Sequence, residues 1–247
     1  DTTGEYLTYS NQQIPIYAGV ERNRFSQGDF MWDPDRPDRL IYTGDDYRTR
    51  FGIDVSAYQN RASANNTIDW EAAKADGVEF AMLRAGYGQG NIDAQFERNA
   101  GECTRLGIPF GVYWFSYAYT PAMARREAQC CAEAASKYTL SYPMAFDFEY
   151  DSVDYASEKG VAVTKALASS LVRAFCDEVR ELGYYPMVYA NPNYLSAYFD
   201  SEIPEEFDIW LAKWPRDPDL NEEPAQAGGM WQYSSGGSVS GINGRVD

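Results

Sequence analysis

From Phe51 onward, short apolar runs alternate with longer amphipathic stretches. The runs at 51–55, 80–84, 110–115, 144–148 and 187–189 read as strands. Helical spacing fills the intervals. It covers 70–75, ended by Asp76-Gly77, and 94–106, closed by Gly107. A third helix starts at Pro121, a favourable first helical residue, and runs toward Lys137. A fourth spans about 158–182 up to Gly183, and a shorter one follows Pro192. Strand–helix alternation with glycine stops predicts parallel β/α units.

After the fifth unit the helices cease. Residues 207–213, 229–233 and 242–246 read as strands joined by loops. Five β/α units followed by three strands make eight, the number that closes a small barrel with a filled interior. A doubly wound sheet would carry its helices to the end. The expected fold class is therefore α/β, a TIM-like barrel of (β/α)5(β)3 type over residues 51–247. Residues 1–50 differ: they hold six Arg, no Lys, and the segment Asp33-Pro34-Asp35-Arg36-Pro37-Asp38. They show no helical period, with short edge strands expected at 6–9 and 14–17. They are too apolar for a free linker and read as an irregular extension packed on the barrel.

Composition narrows the chemistry. The chain of 247 residues contains no His, which removes His-based triads, His general bases and His-ligated zinc together. With 37 acidic and 21 basic residues, its formal charge is −16. Nucleic acid and anionic membranes are excluded as partners, because both require a basic surface. No apolar run is long enough to span a bilayer. The N-terminal Asp1-Thr2-Thr3-Gly4-Glu5 is no signal peptide, so either the chain is cytoplasmic or a signal has been removed. Cys103, Cys130, Cys131 and Cys176 fall in helical stretches and read as core thiols, with one bridge as the alternative. Gly86-Tyr87-Gly88-Gln89-Gly90 lacks the dinucleotide spacing, and no cofactor is expected.

The fourth strand leads into Asp147-Phe148-Glu149, which puts both carboxylates on one face, with Cα atoms roughly 6.5–7 Å apart. In a parallel barrel, functional residues cluster at the strands' C-terminal ends. Asp54 ends the first strand and Asp247 the last, which are neighbours in a closed barrel. Four converging acids suit a glycosidase or a hard-metal site. No compact calcium-loop pattern is present, so no metal is expected. Mutual repulsion raises at least one carboxyl pKa, as a general acid requires. Tyr87, Tyr113, Trp114, Tyr117, Tyr189, Asn191, Lys213 and Gln232 fall near the same rim. Flat rings and amides of this kind suit sugar faces and hydroxyls.

Several motifs together resemble glycoside hydrolase family 25 lysozymes, the N-acetylmuramidases, over residues 51–247. They are Gly52-Ile53-Asp54-Val55-Ser56 with Tyr58-Gln59, Arg84-Ala85-Gly86-Tyr87-Gly88, and Gly111-Val112-Tyr113-Trp114-Phe115. Ala145-Phe146-Asp147-Phe148-Glu149, Tyr189-Ala190-Asn191, Trp231-Gln232-Tyr233 and Gly241-Ile242-Asn243-Gly244-Arg245-Val246-Asp247 follow in order. The resemblance implies a (β/α)5(β)3 barrel that cleaves the β-1,4 bond between N-acetylmuramic acid and N-acetylglucosamine. Its partner would be the glycan strands of bacterial peptidoglycan, and it would act as a secreted monomer. By motif position, Glu149 would be the general acid and Asp147 would orient the 2-acetamido group, while Asp54 and Asp247 tune the pair. Trp114 stands where the family often carries His. Another acetamido-sugar hydrolase of the chitinase kind is disfavoured, because Ser141, Pro143 and Ala145 stand where that signature carries acids. A catalytically silent sugar-binding barrel is the remaining alternative.

Overall fold

The computed structural model describes residues 2–9, 12–17, 30–45, 47–59, 67–214 and 229–247, the first two segments as backbone alone. Near the N-terminus, β1 (Thr2–Tyr9) pairs antiparallel with β2 (Gln12–Tyr17), covering the strands expected at 6–9 and 14–17. A second antiparallel pair, β3 (Phe30–Trp32) and β4 (Leu40–Tyr42), was not anticipated. Strands of three residues carry too little alternation to be read. The extension is thus more regular than its sequence suggests.

The main sheet contains seven parallel strands in chain order. They are β5 (Gly52–Val55), β6 (Phe80–Tyr87), β8 (Phe110–Phe115), β9 (Met144–Asp147), β10 (Pro186–Ala190), β11 (Asp208–Ala212) and β12 (Met230–Gln232). Between β6 and β8 in sequence, the two-residue β7 (Asn91–Ile92) folds back antiparallel on β6. The helices α1 (Trp70–Ala75), α2 (Phe96–Leu106), α3 (Pro121–Ala135), α4 (Tyr150–Glu158), α5 (Lys165–Glu181) and α6 (Ile203–Glu206) follow in the expected β/α order and pack on the outer face of the curled sheet. The caps agree with the sequence reading: Thr120 Oγ1 accepts the Met123 N–H ahead of Pro121, and Gly107 adopts φ 65° after α2.

Two expectations are corrected. The helix expected at about 158–182 begins only at Lys165, where Thr164 caps its start by accepting the Leu167 N–H, and an unanticipated helix, α4, occupies Tyr150–Glu158 before the turn at Gly160, φ 78°. A single π-helical turn at Tyr194–Tyr198 precedes α6 in the stretch after Pro192. The eighth strand expected at 242–246 does not form. Gly244, at φ 98°, bends that segment, and only an isolated antiparallel bridge joins Gly237 to Val246. The segment nevertheless occupies the seam between β12 and β5, where the Asp54 N–H donates to the Asp247 carbonyl at 3.0 Å. The architecture is an α/β TIM-like barrel whose curled sheet is closed by a loop.

Strand alternation divides the core in two. Met82, Tyr113, Ala145, Met187 and Trp210 pack inside the barrel. Outward residues such as Val112, Trp114, Phe146 and Val188 pack against the helices. Cys103, Cys130, Cys131 and Cys176 are buried free thiols within that outer core. Arg36 and Arg39 clamp the extension to the end of α1, each 2.7 Å from Asp76. The Asp38 carboxylate accepts the Ser238 N–H at 2.8 Å, and Phe30 sets its ring edge-on to Trp231.

Candidate active site

The four expected carboxyls gather at the strands' C-terminal rim. Asp54 points inward from β5, and Asp147 ends β9 on the inward face. Glu149 follows two residues later as the N-cap of α4, its N–H donating to Ser152 Oγ at 3.0 Å. Asp247 lies at the seam beside Asp54.

Burial dominates their electrostatics. Asp147 is wholly enclosed, and its pKa is pushed far up, first by burial and then by the adjacent Glu149 carboxylate; Arg84 opposes the rise. Burial also raises Glu149, against a hydrogen bond from Asp147, with Asp151 and Asp247 adding to the rise. The two carboxyls titrate as a pair, and burial raises both, Asp147 being the more deeply buried. Asp54 is pushed up to about 8 by burial and by Asp247, against the stabilising hydrogen bond of Gln232. Burial raises Asp247, and Arg245 offsets part of that rise. Asp147 Oδ1 is buried with no hydrogen-bond partner among the described residues. An unmet acceptor at such depth costs roughly 1–3 kcal/mol.

Gln232 is the hub of the rim. Its Nε2 donates to Asp54 Oδ2 at 2.9 Å, while its Oε1 accepts from Tyr189 Oη at 2.9 Å and Trp214 Nε1 at 3.1 Å. Tyr113 points inward with its ring edge-on to Trp210, and burial holds its hydroxyl well above the usual range. Tyr87 is exposed, and Tyr117 packs partly exposed on Phe115 and Tyr155. Lys213 is buried at the end of β11. Asn191 Oδ1 accepts the Tyr194 N–H, so its side chain shapes the turn after β10. Trp114 requires a correction. It lies on the face opposite Tyr113, is fully buried, and donates from its indole to the Gly88 carbonyl at 2.9 Å. Its ring fills the space over Gly86, where a Cβ would come within 2.5 Å of it. Trp114 supports the rim and does not line it.

Three contributors were not singled out from sequence. Arg84 donates from Nε to Asp93 Oδ2 at 2.8 Å, and its guanidinium lies over the rings of Tyr58 and Tyr87. A charged residue ending an apolar strand was the available signal. Glu127, on α3, is fully buried and accepts from Ser116 Oγ at 2.5 Å, the Tyr117 N–H at 3.1 Å and Gln89 Nε2 at 2.9 Å. Its signal was an acid on the apolar stripe of Ala124, Ala128 and Cys131. The Ser116 N–H in turn donates to the Asp147 carbonyl at 2.7 Å.

A parallel barrel whose mouth holds a close pair of buried carboxyls among aromatic rings has the build of a glycoside hydrolase. The chain belongs to the glycosyl hydrolases family 25, whose model matches residues 53–242. It is similar to the uncharacterized protein YegX of Escherichia coli K12, at 27% identity over 81% of this chain and 68% of that one. It is also similar to the autolytic lysozyme of Clostridium acetobutylicum, at 26% identity over 79% of this chain and 54% of that protein. The modular autolysin LytC of Streptococcus pneumoniae shares the fold, with TM-score 0.66 and 23% identity over 98% of this chain and 51% of that one. The chain thus spans about half the length of the last two proteins.

Proposed function

We propose that this chain is a lysozyme that cleaves the β-1,4 bond between N-acetylmuramic acid and N-acetylglucosamine in bacterial peptidoglycan, outside the cell and as a monomer. Residues 51–247 would form the catalytic barrel and residues 1–50 its packed extension. The observation that carries the reading is the enclosed Asp147–Glu149 pair with its unmet Asp147 Oδ1. The N–H of a 2-acetamido group is the donor that oxygen lacks. Once the N–H compensates an Asp147 carboxylate, the pair's proton passes to Glu149, the less buried carboxyl. Glu149 then protonates the glycosidic oxygen as the C1–O bond breaks, and the acetamido oxygen attacks C1. Asp147 stabilises the resulting oxazolinium N–H. The Glu149 carboxylate next takes a proton from water as that water opens the ring at C1, which restores the pair. The configuration at C1 is retained. Asp54, pushed up to about 8, stays protonated near neutrality and keeps that negative charge away from the pair, while Gln232, Tyr189 and Tyr113 shape the pocket wall. Activity is expected to be highest at mildly acidic pH.

Three measurements test this. Glu149→Gln is expected to lower wall clearance by a factor of about 10²–10⁴, as for loss of a positioned acid; equal clearance would remove Glu149 from the role. Mass analysis of the products should find N-acetylmuramic acid at the reducing end. A trapped glycosyl ester on Asp147 would exclude the acetamido group as nucleophile.

A further inference from the structure

The opposite end of the barrel holds a second cavity, of about 440 Å³, where the strands begin. Its lining includes Phe80 and Tyr142, stacked 4.4 Å apart with planes 4° from parallel at the starts of β6 and β9. Tyr42 of the extension and Trp231 of β12 add two further rings. Arg48 and Arg50, both exposed, complete the wall. Among the described residues no acid lines this cavity, although the chain has 37 acids and a formal charge of −16. Neither arginine forms an ion pair among the described residues. The cavity therefore couples ring faces with two guanidinium forks that are unpaired among the described residues, and it is large enough for one or two sugar rings.

We propose that this cavity is a second, non-catalytic binding site for a carboxylate-bearing amino sugar, with the rings stacking on the pyranose and Arg48 and Arg50 taking the carboxylate. Given the proposed peptidoglycan substrate, on which this inference rests, the occupant is an N-acetylmuramic acid unit stripped of its stem peptide, whose lactyl carboxylate is free and not amide-bonded. Guanidinium forks match carboxylates in a paired geometry, and a neutral amino sugar offers them nothing comparable. The site adjoins the seam pocket that reaches Asp54 and Asp247, with Met230 and Trp231 in common, but its lining does not include Asp147 or Glu149, so it would hold the polymer while the catalytic pair is free. It also supplies a local attraction that the net charge denies the molecule as a whole.

The test uses Glu149→Gln protein with and without Arg48→Ala/Arg50→Ala, titrated with N-acetylmuramic acid, N-acetylglucosamine and glycerol phosphate by ligand-observed NMR. Both arginines are exposed, so the double substitution leaves the core intact. N-acetylmuramic acid is expected to bind at least fivefold more weakly to the double variant, with the weaker N-acetylglucosamine signal unchanged. In otherwise wild-type protein, sedimentation with walls stripped of stem peptides by an amidase should fall while cleavage of a short soluble glycan holds. Equal N-acetylmuramic acid binding by both proteins would overturn the site. Stronger, arginine-dependent binding of glycerol phosphate would overturn the carboxylate assignment in favour of a phosphate-bearing polymer. If walls are not cleaved but the arginine-dependent N-acetylmuramic acid binding persists, the lysozyme reading fails and this site stands.

Discussion

Gln232 reaches across the seam between β12 and β5 and donates to Asp54 at 2.9 Å, tying the two edges of a sheet that no strand pairing joins. The same amide oxygen takes the Tyr189 and Trp214 donors, so one side chain sets both the seam and the wall of the site. Gln232→Met keeps the volume but leaves Asp54 and Tyr189 without this partner. The expected cost is about 2–4 kcal/mol in chemical denaturation, from two or more stranded buried groups. Activity should fall with it, and Asp54 should titrate higher still, because the Gln232 bond is what lowers it. Unchanged stability would mean that the backbone contact at Asp247 closes the seam unaided.

Asp54 makes stability depend on pH in a definite direction. Its ordinary value is 3.8 and burial pushes it up to about 8. Its contribution is fully present below about 4 and is lost as pH rises through about 8. Asp147, Glu149 and Asp247 are raised as well and act with the same sign. Asp76 runs the other way: the Arg36 and Arg39 guanidiniums hold it well below the usual range, so the clamp weakens as pH falls. Melting temperature should therefore peak near pH 4–6 and decline toward pH 8. Asp54→Asn should flatten that decline and stabilise the protein at pH 8 by about 2–4 kcal/mol. A melting temperature that rises steadily from pH 5 to 8 would contradict the buried cluster.

Much of this was legible in the chain because two periodicities and the punctuation agreed. Seven of the eight expected barrel strands formed, and the acids expected at their ends met at one mouth. The misses have physical causes. Residues 242–246 alternate like a strand, yet the glycine at 244 and the lack of a ladder partner leave them a loop. Trp114 sits between two rim residues in sequence, and one residue of register turns it to the far face of the strand. Glu127 is distant in sequence from everything it holds, and no local pattern reports a contact from a helix to a rim loop.

The position of Trp114 separates support from binding. Trp114→Phe removes the indole donor to Gly88 and leaves a small void beside Gly86. A loss of about 1–3 kcal/mol is expected on denaturation. KM for a soluble glycan should stay within about twofold, since the ring meets no solvent. Tyr87→Ala, at an exposed ring, should do the reverse: little change in stability and a higher KM. A large KM rise in Trp114→Phe with stability intact would return Trp114 to the cleft.

Glu127 offers the sharpest test of an indirect role. Its two oxygens accept three donors, and one of these, Ser116, also holds the Asp147 carbonyl. Glu127→Gln turns one acceptor into a donor that faces donors, at an expected cost of about 1–3 kcal/mol. The loss of activity should appear in kcat, because the displaced loop abuts the reacting pair, and the pH profile should shift as Asp147 relaxes. Burial pushes Glu127 from its ordinary 4.5 up to about 7, so its contribution is lost as pH rises through about 7. The amide has no such titration. The stability deficit of Glu127→Gln relative to wild type should therefore narrow between pH 5 and pH 8. A deficit that widens over that range would show that the ionised carboxylate is the form the fold prefers, and the three donors outweigh burial.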